Sequence, residues 1–452
     1  MIAPARRAAL EVLTAVVADN ADLPDAIARV RPTLDDERDR ALLVELTTGT
    51  LRWLAEIDFV LVAASNRPLA GLDAVVRDIL RLGVYQLLHL DRVPAAAVVD
   101  DAVSMVRAAK KASAAGFANA VLRRISRSRS ALGLPPRPVT LGADEATLAY
   151  LSTTLSHPRW LVERWVARFG PDQTERWLQF NNAPAPLTLR AHAPAMDRAQ
   201  VAELLRDAGV ETQPTRYAPD GLTIVAGQPR ALSHARQFVL QDETSQLVGL
   251  LATGTNAARA LDACAAPGGK TLIMRAGLAA RTLLVAADVR PRRIRLLRET
   301  LAASGAMDVA VVQMDLRDPL PFAPVFDMVL VDAPCSGLGI LRRDPDIKWR
   351  RRVDDLDGLA ASQRRMLRHA AAVVAPGGRL VYSTCSSEPE ENEAVVESLV
   401  ADSTFSIVEA SDVRQLLPAA AHPLVDDRGY FQTWPWRDGL EAFFGAVLQQ
   451  VR

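Results

Sequence analysis

Apolar side chains return every three or four positions through the first 130 residues, most clearly over 38 to 64 and in "LDAVVRDILRLGVYQLLHL" at 72 to 90, a spacing that lines one face of a helix. An all-helical domain is predicted over 1 to 140, and "SALGLPPRPVTLGADE" at 130 to 145, rich in proline and glycine, reads as a linker. Two further helical stretches follow. The period then changes: "PLTLRAH" at 186 to 192 reads as a strand, "MDRAQVAELLRDAG" as a helix with a glycine stop, and "GLTIV" as a second strand. Residues 145 to 237 are therefore expected to hold a helical linker and a small α/β module. From 238 to 452, short apolar runs ("ARALDACA", "TLLVAADV", "DVAVVQMD", "FDMVLVDAP", "GRLVYSTC") alternate with helical stretches. That alternation predicts a doubly wound parallel sheet of Rossmann type, which binds ligands at the carboxyl ends of its strands.

The chain has only three cysteines, and all fall at those ends: Cys264 in "LDACAAPGGKT", Cys335 in "LVDAPCSGLG" and Cys385 in "LVYSTCSSEPEENE". Taken singly, each is a small buried hydrophobe as readily as a reactive thiol. An odd count without a C-x-x-C pair excludes a disulfide framework and suits a reducing cytoplasm. A metal site built on the three would need a fourth ligand that the spacing of the six histidines does not supply, so no metal is expected. The turn "CAAPGGKT" is not a P-loop, which would require glycine at Cys264. Its glycines, Gly268 and Gly269, allow a ligand to approach backbone N–H groups, and Asp288 closes the next strand about 20 residues further on, where an acid accepts the hydroxyls of an unphosphorylated ribose. Asp315 ends the strand after that and suits an exocyclic amine. Each acid alone is equally well a helix cap.

Composition changes this picture little: 452 residues, 49% hydrophobic and 23% charged, are ordinary for folded domains. The amino-terminal helix is interrupted by Glu11 and is not a signal peptide, and no uncharged run reaches membrane-spanning length, so a cytoplasmic protein without membrane contact is expected. Charge matters more. The formal net charge is zero, yet residues 102 to 143 carry eight Lys or Arg and no Asp or Glu, and "LRRDPDIKWRRR" at 341 to 352 interleaves six with Trp349. Either run alone is as well a solvated face; together they favour phosphate binding. The candidates are Arg123, Arg124, Arg127 and Arg129 in the first, for holding the backbone, and Arg342 and Lys348 in the second, for bordering a flipped base.

"DACAAPGGKT", "VDAPCSGLG", "RRDPDIKW" and "STCSSEPEEN", in this order and preceded by "FVLQDETSQLV", resemble the RNA cytosine-C5 methyltransferases of the RsmB/NOP2 group. The stretches "LRLGVYQLLHLDRVPAAAVVDDAV" and "GFANAVLRR" are similar to a NusB-type RNA-binding domain, and the module between is RRM-like by the same resemblance. Covering essentially the whole chain, the resemblance implies S-adenosylmethionine held by the loop Cys264, Ala265, Ala266, Pro267, Gly268, Gly269 and Lys270, with Asp288, Arg293, Asp315 and Asp332 around it. It further implies a nucleophile at Cys385, a second thiol for product release at Cys335, and Asp332 and Lys270 beside them. The substrate implied is a single-stranded or loop cytosine of 16S ribosomal RNA, and the protein a monomer. Two thiols suit this chemistry, because addition of a thiolate to C6 makes C5 nucleophilic and a second group must assist elimination. Amino-nitrogen methyltransferases would place D/N-P-P-Y/F where "DAPC" stands. The rivals are a non-catalytic NusB-like RNA-binding or antitermination factor and a cytosine-C5 methyltransferase acting on tRNA. No role is assigned to the tail, "WPWRDGLEAFFGAVLQQ".

Overall fold

The computed structural model describes residues 2–128, 133–192, 195–227 and 236–451. They form two compact units: 1–184 together with 340–353, and 185–339 together with 354–452.

The first unit is helical. The periodic run over 38 to 64 divides at Trp53, whose backbone (φ −105°, ψ 21°) leaves helical geometry between the helices Glu37–Arg52 and Leu54–Ser65. The run at 72 to 90 is the helix Ala74–His89, started by Asp73, whose side chain accepts from the Val75 and Val76 N–H groups. Leu43, Leu46, Ile57, Ile79 and Leu82 from these three helices are buried in one core, each contributing about 1.5–3 kcal/mol by leaving water. The helices Arg159–Phe169 and Pro171–Asn182 also belong to this unit, with Trp165 and Trp177 stacked 3.7 Å apart.

In the basic stretch at 341 to 352, Arg342, Lys348, Trp349 and Arg350 are engaged within the protein, where the charge alone suggested side chains free for nucleic acid. The stretch is built into the helical unit. Lys348, 1% exposed, donates to the carbonyls of Arg52 (2.9 Å) and Ser156 (2.6 Å), and Trp349 donates to the Leu51 carbonyl at 2.6 Å. Arg350 bridges Asp22 (2.6 Å) and the buried Asp346 (2.9 Å). Arg342 lies over the Phe180 ring and donates to the Pro184 carbonyl at 2.6 Å. These three cations serve carbonyls and carboxylates, a use of charge that composition cannot tell from a solvated patch.

Within the second unit lies a small antiparallel sheet of order β2-β3-β1-β4, formed by β1 (Thr188–Ala191), β2 (Glu211–Pro214), β3 (Gly221–Ala226) and β4 (Phe238–Leu240). The helix Arg198–Asp207 starts in an Asp197/Gln200 capping box, packs Val201 and Leu205 into that core, and is followed by Gly209 at φ 76°. The strand at 238 to 240, expected to open the catalytic block, pairs instead with β1.

The large sheet contains β5 (Arg259–Asp262), β6 (Leu283–Asp288), β7 (Ala310–Gln313), β8 (Phe326–Asp332), β9 (Val374–Thr384), β10 (Phe405–Ile407), β11 (Tyr430–Thr433) and β12 (Phe443–Gln450). Its order is β10-β12-β9-β8-β5-β6-β7 with β11 on β12, parallel from β9 to β7 and antiparallel at β12. Central strands such as β8 are apolar on both faces because helices cover both. The chain runs outward from β5 through β6 to β7 and then crosses to β8. A crevice therefore opens between the carboxyl ends of β5 and β8, where a doubly wound sheet binds its ligand.

Candidate active site

Both sides of that crevice carry the predicted residues. The loop after β5 turns through Gly268 at φ 114°, a left-handed value open to glycine, into the helix Gly269–Gly277. Lys270, in the first turn, donates to Asp332 at the end of β8 at 2.6 Å, and Ser383 of β9 donates to the other Asp332 oxygen at 2.8 Å. Burial works to lower the Lys270 ammonium, but the negative charge of Asp332, with Asp242 and Cys385 behind it, prevails and holds it above its ordinary value. Cys335, three residues past β8, and Cys385, directly past β9, lie with their sulfurs 3.2 Å apart, both half-buried. The hydrogen bond with Cys385 and burial push the Cys335 thiol up, with the charges of Cys385 and Glu391 adding to the effect.

Cys264 is a different kind of cysteine. It stands in the loop after β5, apart from the pair, where burial, together with the negative charge of Asp262, Asp332 and Asp288, pushes its thiol well up. Of three similar strand ends, the fold brings together two thiols and leaves the third in the loop.

Of the acids at the strand ends, Asp288 holds the loop. Asp288, 5% exposed, accepts from the N–H groups of Ala266 (3.2 Å) and Val289 (2.8 Å), and Arg293 joins it at 3.1 Å while also donating to the Ala266 carbonyl at 2.6 Å. Asp315 is paired with Arg317 at 2.6 Å. Asp262, which the sequence marks only as a strand end, is buried. One of its oxygens accepts from Thr271 at 2.7 Å, and the other has no partner among the described residues. Carboxylates at three consecutive strand ends, together with one buried oxygen awaiting a donor, fit an adenosine carrying a free ribose diol and an amino-acid tail.

Burial raises Asp262 to about 7. Its folded-state value thus exceeds its unfolded one, so its contribution to stability is full below the ordinary carboxylate range and is lost as pH rises through about 7. Asp262→Asn is expected to remove that dependence and to gain on the order of 2–4 kcal/mol over the parent at pH 8 in the absence of ligand. Melting curves of the two proteins that run parallel from pH 5.5 to 8.5 would contradict this.

Several residues around the thiols were not singled out from sequence. Glu391 and Gln363 are buried behind them, and Gly339 ties the Cys335 loop to the tail. The Gly339 N–H donates to the Cys385 carbonyl at 3.0 Å, and its own carbonyl accepts from Ala442 at 3.0 Å. A Cβ at Gly339 would stand 1.9 Å from the Ala442 carbonyl oxygen, so only glycine fits. The tail, without a role in the sequence reading, adds β12 to the sheet next to β9. The exposed basic residues Arg123, Arg124 and Arg127 lie on or beside the last turns of the helix Ala115–Arg127; Arg129 lies outside the described residues. Arg137, from the same basic run, is held by Glu175 at 2.7 Å and 2.9 Å. Among the described residues no helix is long and apolar enough to cross a membrane.

A sheet of this order with its crevice at β5 and β8 is that of the α/β methyltransferases. Comparison with known proteins makes the assignment narrower. The family described as 16S rRNA methyltransferase RsmB/F matches residues 250–449, the NusB family matches 3–127, and the ferredoxin-like domain of RsmF/B-like methyltransferases matches 157–230. A ribosomal RNA small subunit methyltransferase B of Pseudomonas putida is 35% identical over 88% of this chain and 88% of that protein. A probable ribosomal RNA small subunit methyltransferase B of Bacillus subtilis is 31% identical over 90% of each, and a putative methyltransferase of Mycobacterium tuberculosis 34% identical over 99% and 97%. The fold matches the crystal structure of PH0851 with a TM-score of 0.80 at 23% identity over 99% of both chains. It also matches NSun6 from Pyrococcus horikoshii with SFG, at 0.56 and 20% identity over 65% of this chain and 98% of that one. The chain belongs to the RsmB/F family of methyltransferases, with a NusB-like helical domain, a ferredoxin-like module and an α/β methyltransferase domain of mixed sheet.

Proposed function

We propose that this methyltransferase uses S-adenosylmethionine to methylate C5 of a cytosine in 16S ribosomal RNA through a covalent adduct between Cys385 and C6 of the base. The observation that carries the reading is the pair of sulfurs 3.2 Å apart at the crevice edge, beside the ion pair of Lys270 and Asp332. S-adenosylmethionine, when bound, supplies an electrophilic methyl group. The loop from Cys264 to Lys270, with Asp288, Arg293, Asp315 and Asp332, would hold it.

The chain's own residues act on the base. The Cys385 thiolate forms a bond to C6, and the ring electrons this displaces make C5 nucleophilic. Asp332 accepts from the cytosine amino group, and the Lys270 ammonium offsets the negative charge that addition places on the ring. Once C5 carries its methyl, its proton passes to solvent as the double bond re-forms and the bond to Cys385 breaks; the Cys335 thiol assists this elimination by donating to the departing Cys385 sulfur. The cytosine must leave its stack to reach the thiols, which favours a single-stranded or loop site.

Tritium transfer from labelled S-adenosylmethionine to 16S ribosomal RNA, and bisulfite mapping of RNA from a deletion strain, test the proposal. The expected result is label in 16S ribosomal RNA and loss of one or more 5-methylcytosines there. RNA binding without label transfer would instead indicate a NusB-like binding factor, and label confined to tRNA would overturn the substrate. For the helical domain, Arg123→Gln with Arg127→Gln is expected to weaken RNA binding and to flatten the salt dependence by about 0.7–0.9 for each phosphate that is no longer neutralised. Unchanged affinity and slope would remove this helix from the RNA interface.

A further inference from the structure

Glu391 is one of four glutamates in "SSEPEENE", and nothing in the mechanism above uses it. Its side chain is fully buried and receives three donors: the Ser336 N–H at 2.8 Å and the Gln363 amide at 2.9 Å on one oxygen, and the Ser386 hydroxyl at 2.5 Å on the other. Ser336 directly follows Cys335 and Ser386 directly follows Cys385, so one carboxylate grips both thiol-bearing turns. Gln363 extends the grip by donating also to the Pro334 carbonyl at 2.9 Å, and Tyr382 donates to the Glu391 carbonyl at 2.6 Å. An acceptor facing three donors is satisfied as the anion, and no ion pair joins Glu391 to a cation among the described residues. The negative charge is therefore local and sits behind the thiols, while the Lys270 ammonium sits at the crevice with Asp332.

We infer that Glu391 is a positioning residue that makes the two adjacent thiols unequal, keeping the proton on Cys335 so that Cys385 is the sulfur free to act as thiolate. Two sulfurs at 3.2 Å share one hydrogen bond, and a donor and an acceptor must be chosen. A buried anion disfavours a second negative charge next to it; its field acts on Cys335, while Cys385 is among the groups whose charge acts on Lys270. The charged and titratable groups around the pair are thus Glu391, Tyr382, Lys270 and Asp332. The inference rests on the proposed covalent mechanism for its purpose, but not for its test.

The test is alkylation of the full-length protein by iodoacetamide across pH 6 to 10, without RNA or S-adenosylmethionine, with each cysteine followed separately by mass spectrometry at low conversion. In the parent, Cys385 is expected to react at lower pH than Cys335. In Glu391→Gln, Cys335 should react about three- to tenfold faster near pH 8, the gain in thiolate that half to one pKa unit produces, with Cys385 and Cys264 little changed. Glu391→Asp, which keeps the charge, should leave Cys335 slow. An unchanged Cys335 in Glu391→Gln, equal acceleration of all three cysteines, or an aspartate variant that behaves like the glutamine one would each overturn the inference. If Glu391→Gln does not fold, Ser386→Ala carries the test together with Glu391→Asp: it removes a donor and keeps the charge, so a faster Cys335 there would contradict the charge argument. With RNA and S-adenosylmethionine added, the covalent mechanism is followed separately, through the covalent complex expected from Cys335→Ala. Faster Cys335 labelling with no complex from any variant would leave this inference standing and remove the covalent mechanism. A complex from Cys335→Ala alone, with Cys335 labelling unchanged in Glu391→Gln, would remove only the inference.

Discussion

Cys335→Ala is expected to retain addition to the base and acceptance of the methyl, and then to stall as a protein–RNA complex that survives denaturant and runs as a shifted band on a denaturing gel. Turnover should fall by roughly 10²–10⁴, the range of a missing general acid–base contribution. Cys385→Ala, one hydrogen-bond length away, should differ in kind: no band, no methyl transfer, and cofactor binding close to that of the parent. The double variant should lose the band as well, because the trap requires the attacking thiol. The contrast is informative because the two side chains are the same chemical group, equally half-buried and 3.2 Å apart, so packing alone predicts similar outcomes. A band from Cys385→Ala and none from Cys335→Ala would exchange the roles. Activity in both single variants without a band would end the covalent mechanism.

The second large effect lies away from the chemistry. Lys348→Ala removes a buried amine that satisfies the carbonyls of Arg52 and Ser156 and empties the space of its stem. It should destabilise the helical unit by about 2–5 kcal/mol, the cost of orphaned acceptors together with a cavity. The deficit should depend on pH. Burial, with the Arg52 charge adding, holds Lys348 well below its ordinary value, and a lysine whose folded-state value is lowered contributes stability that is complete above the unfolded value and is lost as pH falls towards the folded one. The difference between parent and variant should therefore be larger at pH 9.5 than at pH 7, measured by hydrogen exchange in the helix Glu37–Arg52 so that the helical unit is followed by itself. A deficit that is larger at pH 7 would show that the amine is not buried in this way.

Much of the architecture was legible in the chain because it depends on local periods. Three- and four-residue spacing marks the helices of the first unit, and alternation of short apolar runs with helices marks the parallel sheet. The wound order then puts "CAAPGGKT", Asp288, Asp315, Asp332, Cys335 and Cys385 on one edge. What a period cannot carry is the partner of a charge. The run at 341 to 352 looks basic and exposed, yet Lys348, Arg342 and Arg350 reach carbonyls and a carboxylate more than 150 residues away in the chain: Arg52 and Ser156 for Lys348, Pro184 for Arg342 and Asp22 for Arg350. The same holds for strand ownership at 238 to 240, decided by pairing with β1 and not by its own apolar pattern.

At the site, sequence by itself determined that three cysteines stand at strand ends, that a glycine turn follows one of them, and that acids close the neighbouring strands. Those are properties of residues within a few positions of each other, and the alternating period carries them. Only the tertiary structure decided which two thiols meet, that Cys264 is set apart among carboxylates, and that Glu391, alike in sequence to Glu390 and Glu393 beside it, is the one that holds Ser336 and Ser386. The reason is physical: hydrogen bonds between side chains and the fields of buried charges act over a few ångströms in space, and residues 50 positions apart, as Cys335 and Cys385 are, reach that range only when β8 and β9 pair side by side.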